Sequence, residues 1–197
     1  QEVREHSIVT SDGVERPMDC LILGTGFIVD PRIYMKSFEL RGLNGHTVQE
    51  DWKVSPTSYY GITTANYPNM YQLVGPHTGL GHNSIIFMIE AQVNYIIQCM
   101  KLVKDKGVDY IDVKPEAMTR FLGEMTAALK GTVWSSGCKS WYQTADGINF
   151  AIWPKSTWRY WLETLKVQTA DYRFVKCAAQ SASQGSGSGR VAHAVTA

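Results

Sequence analysis

The sequence lacks a dominant charge and a cysteine framework. Its 19 Lys and Arg stand against 18 Asp and Glu in 197 residues, a formal net charge of +1. No nucleic acid and no anionic membrane is therefore expected as a partner, since both need a concentrated cationic footprint. The four cysteines, Cys20, Cys99, Cys138 and Cys177, lie far apart and form no C-x-x-C pair. They match neither a structural zinc spacing nor a dense disulfide framework, and a reducing cytoplasm fits that usage. No apolar run approaches the roughly 20 residues that cross a bilayer, so no membrane insertion is expected. Gln1 opens an already patterned segment with no initiator Met, basic n-region or apolar h-region. The chain is thus expected to be cut from a longer polypeptide.

What is present suffices for one core. Ser7 to Thr10 reads as a short strand, Ser11-Asp12-Gly13 as its turn, and a second strand is expected to run to Leu23. The end of that strand, Asp19-Cys20-Leu21-Ile22-Leu23, has the near-continuous apolar character of a strand buried on both faces. Residues 28–68 scatter Pro, Gly and Asn without periodicity and read mostly as loop. Asn69 to Val74 reads as another buried strand, followed by a glycine-rich loop from Gly75 to Asn83.

From Ser84 the pattern changes to helix. Ile85, Ile86, Ile89, Val93, Ile96, Ile97 and Met100 recur at three- and four-residue steps, with Lys near the end and Gly107 placed to stop the helix. A second helix is expected over Pro115 to Lys130, and a short final one after Pro154. Residues 176–197 fall to Ala, Ser, Gly and Gln and read as a flexible tail.

Several motifs admit two readings. Gly24-Thr25-Gly26 after a strand suggests a dinucleotide fingerprint, but Val29 stands where the third glycine belongs and Pro31 denies the following helix. The Gly75–Asn83 loop has no Lys and is not a P-loop. It delivers backbone N–H groups at a helix start, capped by Asn83 or Ser84. That end either holds an anion or a carbonyl that becomes negative, or is an ordinary capped start. His77 and His82 share the loop without the further ligands a metal needs. Glu90, isolated among apolar neighbours, reads as an ordinary helix residue. Trp134, Trp141, Tyr142, Phe150, Trp153, Trp158, Tyr160 and Trp161 either line an apolar or planar-ligand pocket or form core, the core reading covering most of them.

Together, several segments resemble class B flavin-dependent monooxygenases, the Baeyer–Villiger and flavin-containing monooxygenase family. They are Asp19 to Phe27, Asp51-Trp52, Pro56, Tyr60-Gly61-Ile62, Tyr67 to Tyr71, Gly75 to Gln92, Cys138 to Tyr142, Gly147-Ile148-Asn149 and Trp153-Pro154. The resemblance spans roughly residues 5–167 and is strongest over Gly75–Gln92. Gly24 stands where Ala is common in the family, and His77 where Asn is common.

The resemblance implies an α/β fold: the C-terminal portion of a Rossmann-like FAD-binding domain over residues 1–175, with a helical, aromatic-rich elaboration. It implies FAD and NADPH as cofactors, and a small organic substrate and O2 as partners. The implied reaction passes one oxygen atom through a C4a-peroxyflavin, turning a ketone into an ester or, alternatively, oxidising nitrogen or sulfur. The implied cofactor-binding residues are Thr25, Gly26, Gly75, Asn83, Ser84, Ile85 and Trp141. Asn83, Ser84 and Ile85 would present the helix's positive end to the flavin's pyrimidine edge, and Trp141 resembles the family's mobile-loop tryptophan. The family's two glycine fingerprints and its catalytic arginine have no counterpart here, so no catalytic residue is assigned. The N-terminal remainder of the same polypeptide is the implied partner, and the piece alone is expected to be inactive. The rival reading is a non-catalytic module binding an apolar ligand through Trp134–Trp161.

Overall fold

The computed structural model describes residues 2–136 and 140–177. The expected tail from residue 178 onward, and Cys138 with Lys139 of the aromatic zone, lie outside the described residues. The architecture mixes helix and strand, as a partial α/β domain should.

Three short strands open the chain: β1 (Glu2–Val3), β2 (Ser7–Val9) and β3 (Glu15–Pro17), all antiparallel in the order β1-β2-β3. The turn is built as its residues dictate. Gly13 takes φ +78° and donates its N–H to the Thr10 carbonyl at 2.9 Å, while the Asp12 carboxylate accepts from the Val14 N–H at 3.1 Å. The second strand stops at Pro17, not at Leu23. Ile22 and Leu23 are 87% and 74% exposed. A strand apolar on both faces needs a neighbour on each side, and among the described residues nothing pairs with Asp19–Leu23.

Residues 69–74 are likewise not a strand. Asn69 and Val74 both sit at φ +54°, which breaks extended backbone. The segment's N–H groups bond elsewhere: Asn69 to the Ile111 carbonyl, Gln72 to the Ile62 carbonyl and Val74 to the Gln92 side-chain oxygen. Two helical turns, α1 (Pro31–Tyr34) and α2 (Val48–Asp51), interrupt the loop-rich stretch. Val48, Trp52 and Tyr67 form a small core there, with Met35, Leu40 and Met70 against it.

The helices follow the sequence pattern closely. α3 (Ile85–Asp105) ends at Gly107 in a left-handed conformation. By length and composition α3 could cross a bilayer, contrary to the reading of apolar runs, but its inner face is buried in protein. α4 (Pro115–Leu129) starts on its proline and is followed by Gly131 at φ +80°. α5 (Thr157–Thr164) is capped by Ser156, whose hydroxyl accepts from the Arg159 N–H at 3.2 Å. β4 (Tyr110–Val113), between α3 and α4, and β5 (Tyr172–Val175), after α5, form an antiparallel pair that the hydropathy pattern does not announce.

The main core joins α3 (Met88, Ala91, Tyr95, Cys99), α4 (Ala117, Phe121, Met125) and β4 (Ile111, Val113) with Tyr59, Ile62, Trp153, Tyr160 and Tyr172. Its tyrosine hydroxyls are paired internally. Tyr95 donates to the Tyr172 hydroxyl at 3.1 Å and Tyr59 to Asp171 at 2.6 Å.

Candidate functional site

The loop before α3 is held from both sides. On one side its backbone pairs with residues 150–153: His77 N–H to the Phe150 carbonyl and Gly79 N–H to the Ala151 carbonyl, both at 2.7 Å, with Trp153 N–H returning to the Gly79 carbonyl at 2.9 Å. On the other, Ser58 donates to the Pro76 carbonyl at 2.9 Å. Gly61, at φ +67°, lies so close that a Cβ would sit 2.1 Å from Thr78 Cγ2. Gln92, fully buried on α3, accepts from the Val74 N–H at 3.0 Å and donates to the Tyr160 hydroxyl at 3.0 Å. That hydroxyl donates in turn to the Tyr60 carbonyl at 2.6 Å.

This fixed loop forms one wall of a cleft of about 580 Å³. Met35, Phe38, Leu40 and Trp52 come from the loop-rich stretch, Ile85 from the first turn of α3, and Trp141, Tyr142 and Phe150 from the aromatic zone. Among the described residues, no Asp, Glu, Lys, Arg or His lines it. Such a cleft suits a neutral, flat or apolar body and offers nothing to a phosphate. The Trp52 indole N–H is buried without an acceptor.

The sequence-based candidates divide. Gly75, Ile85 and Trp141 share the cleft. Gly26, at φ +77°, reaches Trp141, where a Cβ would lie 3.8 Å from the indole Cδ1. Thr25 is exposed and outside the lining. Asn83 and Ser84 are also exposed and outside it. Asn83 donates to the Thr157 hydroxyl at 2.9 Å, joining the starts of α3 and α5, and accepts from the Ser84 N–H at 2.7 Å. Ser84 takes the N-cap position, yet its hydroxyl makes no capping bond, so no side chain caps α3.

His77 and His82 are not brought together: His77 is buried and His82 exposed. Burial lowers the His77 imidazole to about 4, outweighing a bond to the Ile152 carbonyl, and its Nδ1 has no partner. The aromatic zone splits too. Trp153 and Tyr160 are core, Trp141 and Tyr142 are cleft, Phe150 is buried where the two meet, and Trp158 lies exposed against Trp161 with ring centres 4.7 Å apart. Trp134 covers Gly81, where a Cβ would fall 2.3 Å from the ring. The cleft residues that pattern reading missed, Met35, Phe38 and Leu40, come from a stretch without periodicity. Their only signal is the presence of large apolar side chains inside otherwise polar loop.

No protein-family profile matches the chain. Individual proteins do. A Baeyer–Villiger monooxygenase of Pseudomonas aeruginosa is 37% identical over 172 residues, covering 86% of this chain and 32% of the relative. One of Streptomyces coelicolor is 35% identical, covering 89% and 34%. This chain is a homologue of flavin-dependent monooxygenases. A solved cyclohexanone monooxygenase from a Rhodococcus species, bound to NADP+, superposes with a TM-score of 0.70 at 26% identity over 90% of this chain and 34% of that one. The fold is thus that of part of an FAD-binding monooxygenase, and the chain spans about a third of the length of the curated relatives it matches.

Proposed function

We propose that this chain is the flavin-ring wall of an FAD- and NADPH-dependent monooxygenase that inserts one oxygen atom from O2 into a ketone to give an ester. The observation that carries the reading is the uncharged aromatic cleft at the start of α3, where Gly75, Ile85 and Trp141 meet. Its volume and lining fit a neutral tricyclic ring and do not fit a diphosphate. The FAD diphosphate and the NADPH site accordingly belong to the N-terminal remainder of the polypeptide, with residues 1–175 as the C-terminal part of the FAD-binding domain and 176–197 as a tail. The cytoplasm is the expected compartment.

Bound there, FAD would supply the oxygen chemistry and NADPH the electrons. The chain's own residues position and enclose. Gly75 lets the loop pack closely on the Gly61 carbonyl and Gln72, where a Cβ would fall 2.6 and 2.8 Å away, and so keeps this wall in place. The uncapped first turn of α3, beginning at Ile85, brings the helix's positive end to the wall and favours negative charge on an acceptor held there. Trp141 and Tyr142, with ring centres 4.0 Å apart, shield the mouth from water. Asn83 steadies this wall by joining the starts of α3 and α5, while Thr25 and Ser84 are exposed outside the lining. The names of the relatives favour ketone oxidation over oxidation of nitrogen or sulfur.

The test is a chimera in which this chain replaces the matching third of the Pseudomonas aeruginosa relative. A folded chimera should retain FAD and turn ketone to ester at the expense of NADPH, and Trp141→Ala should lower kcat/KM roughly tenfold. A folded chimera without FAD, or one oxidising only a thioether or an amine when offered all three substrates, contradicts the reading.

A further inference from the structure

A second cavity, of about 390 Å³, adjoins the cleft. Met35 and Trp52 line both, so these two side chains form the partition between them. The cavities differ in charge, for three cations and one carboxylate, Arg32, Lys36, Lys53 and Asp30, border the second. Arg32 is committed to the fold. It donates to Asp30 through Nε and Nη2 at 2.9 and 2.6 Å, and through Nη1 to the Lys53 and Val54 carbonyls, both at 3.0 Å. Lys36 and Lys53 are exposed, and neither ammonium meets a carboxylate among the described residues. The neighbouring acids are engaged elsewhere: Glu39 with Arg41 at 2.9 Å, Glu50 with the Thr47 hydroxyl at 3.2 Å, and Asp51 with the Tyr67 hydroxyl at 2.8 Å.

The partition carries an independent sign of a ligand. Trp52 is 2% exposed, and its indole N–H has no acceptor among the described residues. Leaving a buried donor unpaired is costly, and native folds rarely do so unless something else completes the bond. A molecule lying over this indole, from the cleft to the charged rim, would bring it an acceptor.

The two ammoniums limit what that molecule is. Lysine is a compact point charge that attracts an anion without fixing its orientation, and each exposed ion pair contributes little. A small anion alone would therefore be held weakly, and the remaining affinity must come from apolar surface, which the adjoining cleft provides. A nucleotide diphosphate fits poorly. Arg32 is already engaged, and the two helical turns at this cavity, α1 and α2, are capped by their own Asp30 and Thr47 side chains. We infer that the second cavity binds the anionic end of the substrate, a carboxylate whose apolar body runs along Met35 and Trp52 into the cleft, so that the ketone oxidised is an amphiphilic keto acid. The inference rests on the function proposed above for its reaction, while the carboxylate site stands on its own residues.

The test is a calorimetric titration of the chain, without flavin, using decanoate and its methyl ester as probes. The acid should bind about fivefold more tightly at low salt, as two exposed ion pairs allow, and its advantage should shrink as ionic strength rises. Lys36→Gln with Lys53→Gln should bring the acid down to the level of the ester. Ester binding should not change, which also shows that the variant is folded. Lys166→Gln, which lines neither cavity, should keep the full advantage. Trp52→Phe keeps an aromatic wall, removes the donor and should weaken the acid roughly fivefold. Equal binding of acid and ester, an advantage that survives the double lysine change, acid binding indifferent to Trp52→Phe, or displacement of decanoate by ADP overturns the inference. The chimera described above then separates the two readings. A chimera that oxidises ketones but treats an oxodecanoate and its methyl ester alike keeps the proposed function and refutes the carboxylate site. A chain that prefers decanoate through Lys36 and Lys53, beside a folded chimera that binds no FAD, does the reverse.

Discussion

Val74 holds a left-handed conformation, φ +54°, that a β-branched residue adopts only under constraint. The constraint is visible: its N–H is fixed to the buried Gln92 amide oxygen, and the next residue, Gly75, bonds back to the Gly61 carbonyl. Strain of this kind gathers where a wall must be rigid, and Val74 lines the cleft. His77, three residues on, is also left-handed at φ +63° and is buried without a partner for Nδ1. Its imidazole falls from the ordinary 6.5 to about 4 because burial opposes the charge. In that window the unfolded chain binds a proton that the folded chain refuses, so stability falls as the pH drops from 6.5 towards 4 and is unaffected by this group above 6.5. The loss from His77 alone should be about 2 kcal/mol at pH 5 and about 3 kcal/mol at pH 4. His77→Asn keeps a side chain tolerant of the left-handed backbone and should remove that component. Urea unfolding of both proteins at pH 7 and pH 5 checks it: an equal loss in the variant would mean that His77 titrates normally in the fold.

At the scale of elements, one buried amide couples three of them. Gln92 links the cleft loop through Val74, α5 through Tyr160, and the turn at Gly61 through the Tyr60 carbonyl that Tyr160 reaches. Gln92→Leu preserves most of the volume and removes both bonds, leaving the Val74 N–H unpaired and the Tyr160 hydroxyl with only its bond to the Tyr60 carbonyl. It should cost about 2–3 kcal/mol in thermal or urea unfolding, and hydrogen exchange at the Val74 amide should accelerate far more than at the middle of α4. Uniform acceleration would show that Gln92 serves general packing and not the loop. The helices were legible in the sequence because their signals are local: the apolar period of α3, Gly107 after it, and Pro115 opening α4. Of the strands, the N-terminal hairpin of β2 and β3 was legible from its Asp-Gly turn, but β4 and β5 were not. β4 carries Asp112 in its centre and β5 carries Arg173 opposite, a cross-strand ion pair between a buried carboxylate and an exposed guanidinium that interrupts the apolar alternation on which strand reading depends. The expected strands failed for different reasons: Asp19–Leu23 finds no pairing neighbour among the described residues, and Asn69–Val74 is broken by left-handed backbone at both its ends.

For the molecule as a whole, the cleft is a tertiary construction. Gly75, Ile85 and Trp141 could be chosen from the glycine loop, the helix start and the aromatic zone, because each carries a local motif. Met35, Leu40 and Trp52 could not be joined to them by pattern, for they reach the cleft through the small core around Val48 and Tyr67. The same folding leaves Ile22, Phe27, Ile97 and Met100 to solvent, an arrangement expected of one part of a larger fold. What distinguishes the cleft is the absence of charge among the described residues that line it. The most direct measurement is therefore a titration of the chain with riboflavin, which carries the ring without the diphosphate, followed by flavin fluorescence with excess ADP as competitor. Saturable quenching that ADP does not relieve, and that Trp141→Ala weakens, is the expected result. Quenching abolished by ADP, or no saturable binding of riboflavin at all, would contradict the assignment of this cleft to the flavin ring.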